Sequence, residues 1–190
     1  MRIRTLGVVL LLTAPAIVAA SQSWKNTAPE SFQANAQILG AAGGAASVVG
    51  IKIDRYSTQA EHDAIVTALK QGDQAAFQEA LHRAPAVGSV TLGSRSVPIR
   101  WARERPEGGG RRIAVVTEAP VFFAGAGAPD AKPTAGYDVA VLEFTVDSVG
   151  LGKGTMAGAA RVKAGGATGI EVEDYAGKRI TLVSVTRKIS

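Results

Sequence analysis

From Ala86 to the C-terminus the chain alternates between β-prone segments and turns. Val87 to Leu92, Val97 to Arg103, Arg112 to Glu118, Tyr137 to Asp147, Lys153 to Lys163, Thr168 to Tyr175 and Arg179 to Lys188 are each β-rich or of period two. They are separated by Gly93-Ser94, Pro106 to Gly110, Gly125 to Gly136, Ser148 to Gly152, Gly165-Gly166 and Ala176-Gly177. Short strands with glycine and proline turns and no helical pattern between them pair consecutively and antiparallel. The expected fold is therefore α+β and mainly antiparallel sheet, a sandwich or partly closed barrel. One connection is long: Gly125 to Gly136 carries Pro129 and Pro133 and has no pattern of its own. Long loops on β scaffolds are where binding tends to reside.

The helical contribution comes earlier. Val49, Ile51 and Ile53 share one face of the run Ser47 to Tyr56, with Lys52 and Asp54 on the other, which is the period of a half-buried strand. Thr58 and Glu61 then form a capping box, each side chain satisfying a backbone N–H that the first helical turn leaves unpaired. Ile65, Ala68 and Leu69 recur at helical spacing before Gly72, which tolerates the left-handed conformation common just past a helix end. Asp73 caps a second helix carrying Phe77, Ala80 and Leu81, which stops before Pro85. A helical hairpin over about 58–84 is thus expected after the first strand.

The N-terminus reads as an address. Arg2 and Arg4 precede the apolar stretch Leu6 to Ile17, and Val18-Ala19-Ala20 offers small residues for cleavage before Ser21, so residues 1–20 form a secretory signal peptide. The stretch is shorter than the roughly 20 apolar residues that cross a bilayer as a helix. Glu143 interrupts the longest later apolar run, Val139 to Val146, leaving no transmembrane segment after cleavage. Residues 21–45 are polar or Gly/Ala-rich and bury too little surface to offset the entropy of ordering them. They are expected to be a flexible leader, with Trp24 and Phe32 as docking points, ahead of a single β-rich domain over 46–190. The protein is accordingly expected to be exported, in the periplasm or outside a bacterial cell.

Charge and cysteine content narrow the function. The net charge of +5 falls to +3 once Arg2 and Arg4 leave with the signal. Arg95, Arg100, Arg103, Arg105, Arg111 and Arg112 gather, but Glu104 and Glu107 sit among them, which describes a solvated face, the alternative being a patch for anionic lipid, glycan or polymer; the basic balance is not a sign of nucleic-acid binding. There is no cysteine. That removes disulfides, a lipoprotein anchor, thiol nucleophiles and cysteine zinc sites.

The sharper motifs each fail on spacing. Gly150-Leu-Gly-Lys-Gly-Thr155 lacks the Gly-Lys-Ser/Thr order and the following helix of a phosphate loop, and reads as a turn. Glu79 and His82 share a helical face and Glu61 and Asp63 flank His62, but a bundle metal site needs several carboxylates converging, so no metal is expected. Ser89, Ser94 and Ser96 have no nucleophile elbow and no recognisable base. Glu171 and Glu173 form the outward half of an alternation with Ile170 and Val172, and Asp174 and Glu143 complete no catalytic pair. Neither a catalytic residue nor a cofactor is expected.

Aromatic residues supply the ligand-binding candidates. Trp101 aligns with Val97 and Ile99, and Phe144 with Leu142 and Val146, as sandwich-core residues would. Phe122 and Phe123 are adjacent beside the long loop, so one must point away from the core. Trp101, Phe122 and Phe123 are the residues expected to line a ligand surface.

The segments Ile51 to Lys70 and Gly110 to Glu118 resemble a family of uncharacterised exported bacterial proteins, in which a strand leads into a helix pair and a β-rich region. The resemblance runs from about Val49 to the C-terminal strand with Ile180 and Leu182 and implies export and one domain, with no known activity to carry over. The function expected is a non-enzymatic binding or envelope-associated domain. Its partner would be an apolar small molecule, held inside if the strands close, or an envelope component. The alternatives are an envelope-directed hydrolase and a structural accessory subunit.

Overall fold

The computed structural model describes residues 28–38, 46–122 and 134–188. The signal region, Trp24, Phe123 and most of the Gly125 to Gly136 loop lie outside the described residues. In chain order the elements are β1 (Glu30–Ile38), β2 (Ala46–Ile53), α1 (Gln59–Lys70), α2 (Gln74–Arg83), β3 (Gly88–Leu92), β4 (Arg95–Glu107), β5 (Gly110–Thr117), β6 (Val139–Val146), β7 (Leu151–Gly165), β8 (Gly169–Tyr175) and β9 (Ile180–Lys188). The strands from β3 onward coincide with the alternating segments to within a few residues.

All pairings are antiparallel, and eight strands close on themselves. The sequence β1 to β7 runs round as a meander, β7 then pairs with β9, and β9 returns to β1. The sheet is thus a closed barrel rather than a sandwich. Among the described residues, strand β8 pairs only with the second half of β7 and stands outside the closed ring.

Two expectations are corrected by β1. Residues Glu30–Ile38, placed in the flexible leader, form a strand whose alternate side chains Phe32, Ala34, Ala36 and Ile38 are buried. Phe32 is core, not a docking point for a loose leader. The helical hairpin consequently follows the second strand, not the first. Its internal signals are realised: Thr58 accepts from the Glu61 N–H while the Glu61 carboxylate accepts from the Thr58 N–H, and Asp73 accepts from the N–H groups of Ala75 and Ala76.

Closure creates two cores. The barrel interior holds Phe32, Ile51, Ile99, Ile113, Leu142, Phe144, Met156 and Leu182, with the Phe32 and Phe144 rings edge to face at 5.1 Å. A second cluster lies on the outer wall, where Ile65, Leu69, Phe77 and Leu81 of the helices cover Trp101, Ala114, Val116, Val141, Ala157 and Val162. Trp101 therefore does not share a face with Ile99. The β4–β5 register shifts between Ile99 and Trp101, and the extra residue of a bulge turns the next side chain to the opposite face. Ile99 points into the barrel; Trp101 lies beneath α1.

Candidate functional site

The helices and β8 cover the outer wall only in part. Below Ala114 on β5, Val141 on β6 and Ala157 on β7, the outward side chains meet no second layer among the described residues and are polar or charged: Arg112, Glu143, Thr145, Lys153 and Thr155. Here the wall is hollowed. A hollow of about 520 Å³ is lined by Arg112, Glu143, Thr145, Lys153, Gly154, Thr155, Thr181 and Val183. It shares Thr145, Lys153 and Val183 with a hollow of about 440 Å³ that reaches Glu107, Leu151 and Gly152 at the barrel end. In the other direction it shares Glu143 and Thr155 with a more enclosed cleft of about 190 Å³, where Trp101, Ile170, Glu171 and Arg179 close in. The three form one groove along β7.

Glycines set the groove's shape. A Cβ on Gly152 would stand 1.7 Å from the Thr145 carbonyl oxygen, and one on Gly154 would stand 2.2 Å from that of Glu143. Such approaches are possible only for bare main chain, so β7 can lie this close to β6 only as Gly-Lys-Gly. The segment Gly150 to Thr155 is thus the β6–β7 turn and the start of β7. Asp147 organises the turn by accepting from the N–H groups of Val149 and Leu151.

The charges are largely matched within the groove. Arg112 donates to Glu107 and, at 2.7 Å, to Glu143, and these hydrogen bonds raise its pKa above the ordinary arginine value. The same pairing lowers Glu107. Lys153 and Arg179, by contrast, have no ion pair among the described residues, Arg179 lying over the Tyr175 ring, and the hydroxyls of Thr145, Thr155 and Thr181 make no hydrogen bond within the described chain. Val183 and Leu151 are exposed at the groove's edge, and Val149 projects from the adjoining turn.

A second polar cluster seals the neighbouring barrel end. The Glu30 carboxylate, fully buried, accepts from Tyr56 Oη at 2.5 Å, from both Arg111 terminal nitrogens at 2.7 and 2.5 Å, and pairs with Arg187 Nε at 3.1 Å. Glu104 takes a further Arg111 bond at 2.6 Å. Burial and the Glu30 hydrogen bond push the Tyr56 hydroxyl far above its usual pKa. For Arg111, burial opposes the charge, and the hydrogen bonds to Glu30 and Glu104 outweigh it. The Arg95 to Arg112 group is accordingly not one solvated face: Arg111 is buried, Arg100 pairs with Glu118, and Arg105 donates to the Ala167 carbonyl.

Of the expected ligand residues, Trp101 lies behind the enclosed end of the groove but is fully buried, while Phe122 is half-buried next to Val121 and lines none of the three hollows. Phe123 lies outside the described residues. Trp101 is also held from behind: its indole N–H donates to His62 Nδ1 at 3.3 Å and the rings stack at 5.9 Å. The two histidines sit on separate helices, and His82 lies 3.4 Å from the Glu118 carbonyl oxygen. Among the described residues, no three His, Asp or Glu side chains group as metal ligands would. The carboxylates Glu143 and Glu171, which sequence spacing leaves unrelated, do meet at one cleft. Glu107, Thr145, Lys153 and Thr181 were missed as site residues; the Gly-Lys-Gly run of β7 was their one visible signal.

Comparison of the chain with protein families, curated proteins and solved structures finds no match. No helix among the described residues is long and apolar enough to cross a membrane.

Proposed function

We propose that this is an exported, non-enzymatic binding protein of the bacterial envelope, and that it takes its ligand in the groove along β7. The observation that carries the reading is the continuity of three hollows whose lining combines unengaged hydroxyls, two cations without an ion pair among the described residues, Lys153 and Arg179, and a paired Arg112. A site built for polar recognition has such groups converging on a concave surface. The lining holds no histidine to act as a nucleophile's base, and the Glu143 carboxylate beside Thr155 is already held by Arg112. Export follows from the signal-like residues Met1 to Ala20.

The test is native mass spectrometry of protein purified from the medium or periplasm after expression with its own leader. A retained compound is expected, and it should be lost when Thr155→Trp fills the groove. The reading fails if the wild type and Thr155→Trp carry the same compound, or if the purified protein turns over envelope material.

A further inference from the structure

The groove's polar side chains are arranged in ladders, which restricts what fits them. Thr145 stands opposite Arg112 on one side and Lys153 on the other, and Thr155 stands opposite both Glu143 and Thr181. Outward positions in register on antiparallel strands are separated by one strand spacing, roughly 4.8 Å. Two parallel rows therefore cross the strands: Arg112, Thr145 and Lys153 in one, Glu143, Thr155 and Thr181 in the other. Each threonine hydroxyl can donate once and accept twice, and none of the three is engaged within the described chain.

We propose that the groove binds a linear oligosaccharide bearing carboxylate groups, laid across β6, β7 and β9. This rests on the binding-protein reading and names its ligand class. A chain of sugar rings advances by about one strand spacing per ring, so successive ring hydroxyls meet successive ladder positions. The exposed Val183 and Leu151 offer apolar contact to the C–H faces of the rings. Lys153, without a carboxylate of its own, takes the acidic substituent, whereas Arg112 is already held by Glu107 and Glu143.

Other ligand classes fit less well. An extended peptide recognised by strand addition needs an open sheet edge, and β6, β7 and β9 are each paired on both sides here. A nucleic acid needs a surplus of cations, but the lining sets three cations, Arg112, Lys153 and Arg179, against four carboxylates, Glu107, Glu143, Asp147 and Glu171.

The experiment titrates the folded protein with tetragalacturonate and with its methyl ester, which keeps the same chain and removes the charge, by calorimetry at low salt. Both should bind, the acid at least tenfold more tightly. Lys153→Met should abolish the preference for the acid, so that the two probes bind alike. Thr145→Val/Thr155→Val, which keeps the β-branched shape, should weaken both probes at least tenfold, with an unfolding midpoint close to the wild type's showing that the fold is intact. The proposal is overturned if neither probe binds, if acid and ester bind equally, or if the double valine variant binds as the wild type does. A compound retained by the wild type and lost in Thr155→Trp, with neither glycan binding, would sink this proposal and leave the binding-protein reading standing.

Discussion

Replacing Glu30 by alanine tests how the barrel is closed. Its carboxylate has no exposure to solvent and gathers hydrogen bonds from Tyr56 and Arg111 together with the Arg187 pairing. Removing one partner of a buried ion pair costs about 3–5 kcal/mol, because the other charge stays buried. The Tyr56 hydroxyl also loses its acceptor, a further penalty of about 1–3 kcal/mol for an orphaned buried donor. Two features reduce the sum. Glu104 still holds Arg111 at 2.6 Å, and Arg187 is sufficiently exposed to find water. We expect Glu30→Ala to lose about 4 kcal/mol in urea unfolding, with an unchanged dependence on denaturant. At about 2–4 °C per kcal/mol for a domain of this size, the melting temperature should fall by roughly 8–16 °C. The triple variant Glu30→Leu/Glu104→Leu/Arg111→Met, which removes the charges together, should recover at least half of that loss, since apolar replacement of whole buried ionic groups is often neutral or stabilising. A loss below about 1 kcal/mol in Glu30→Ala, or a triple variant less stable than the single one, would refute the reasoning.

Three further perturbations probe other levels of the structure. His62 has a lowered pKa, chiefly because of burial and secondarily because of Arg103, with Asp63 opposing and Lys70 adding a smaller effect in the same direction as Arg103. The fold thus prefers the neutral ring that accepts from Trp101, and this stability is complete above the unfolded value of about 6.5 and is lost as pH falls below it. Melting temperatures between pH 7.5 and 5 should drop more steeply for the wild type than for His62→Gln; equal slopes would exclude the effect. Gly50 and Gly152 should respond oppositely to alanine. A Cβ at Gly50 makes an ordinary contact of 3.6 Å with Thr91 Cβ, so Gly50→Ala should gain about 0.5–1 kcal/mol, whereas Gly152→Ala must push β7 off the Thr145 carbonyl at a cost of about 1–3 kcal/mol. Chemical denaturation of both variants checks the contrast. Thr58→Ala removes half of the capping box and should cost about 1 kcal/mol by the same measurement, with Thr58→Ser nearly neutral.

How far the fold could be read from the chain depended on whether its signals were local. The capping box Thr58/Glu61 and the cap at Asp73 announce α1 and α2 because each is complete within four residues. Strands β3 to β9 are legible from alternation and turns. β1 has the same period, with Phe32, Ala34, Ala36 and Ile38 inward, but two of the four are alanines, and Ser31, Gln33, Asn35 and Gln37 opposite them look like a solvated tail. Its order comes from pairing with both β2 and β9, the latter some 150 residues along the chain. Barrel closure is likewise a property of distant pairings. Trp101 was misassigned because one bulge residue reverses a face without changing composition. The Glu30–Arg111 pair joins residues 81 apart, and charged side chains read singly look solvated.

The closed barrel moves the ligand question from inside to outside. An eight-stranded ring has an interior just wide enough to be filled by side chains or to hold one small ligand. Here Phe32, Phe144, Met156 and the surrounding isoleucines and valines occupy it, so an apolar molecule in the lumen would have to displace close-packed core. The outer wall is the alternative, and the composition of a single strand marks where it opens. Along β7 the outward positions run Leu151, Lys153 and Thr155, while from Met156 to Ala160 every residue is buried as the strand passes under the helices. Small apolar residues belong where a second layer covers the sheet; hydroxyls and a free ammonium belong where none does. The change from Gly-Lys-Gly-Thr to Met-Ala-Gly-Ala-Ala is therefore the boundary between uncovered and covered wall, and on the proposed reading between recognition and packing. Carrying the apolar pattern across it, as in Lys153→Ala/Thr155→Ala, should leave stability nearly unchanged and remove binding.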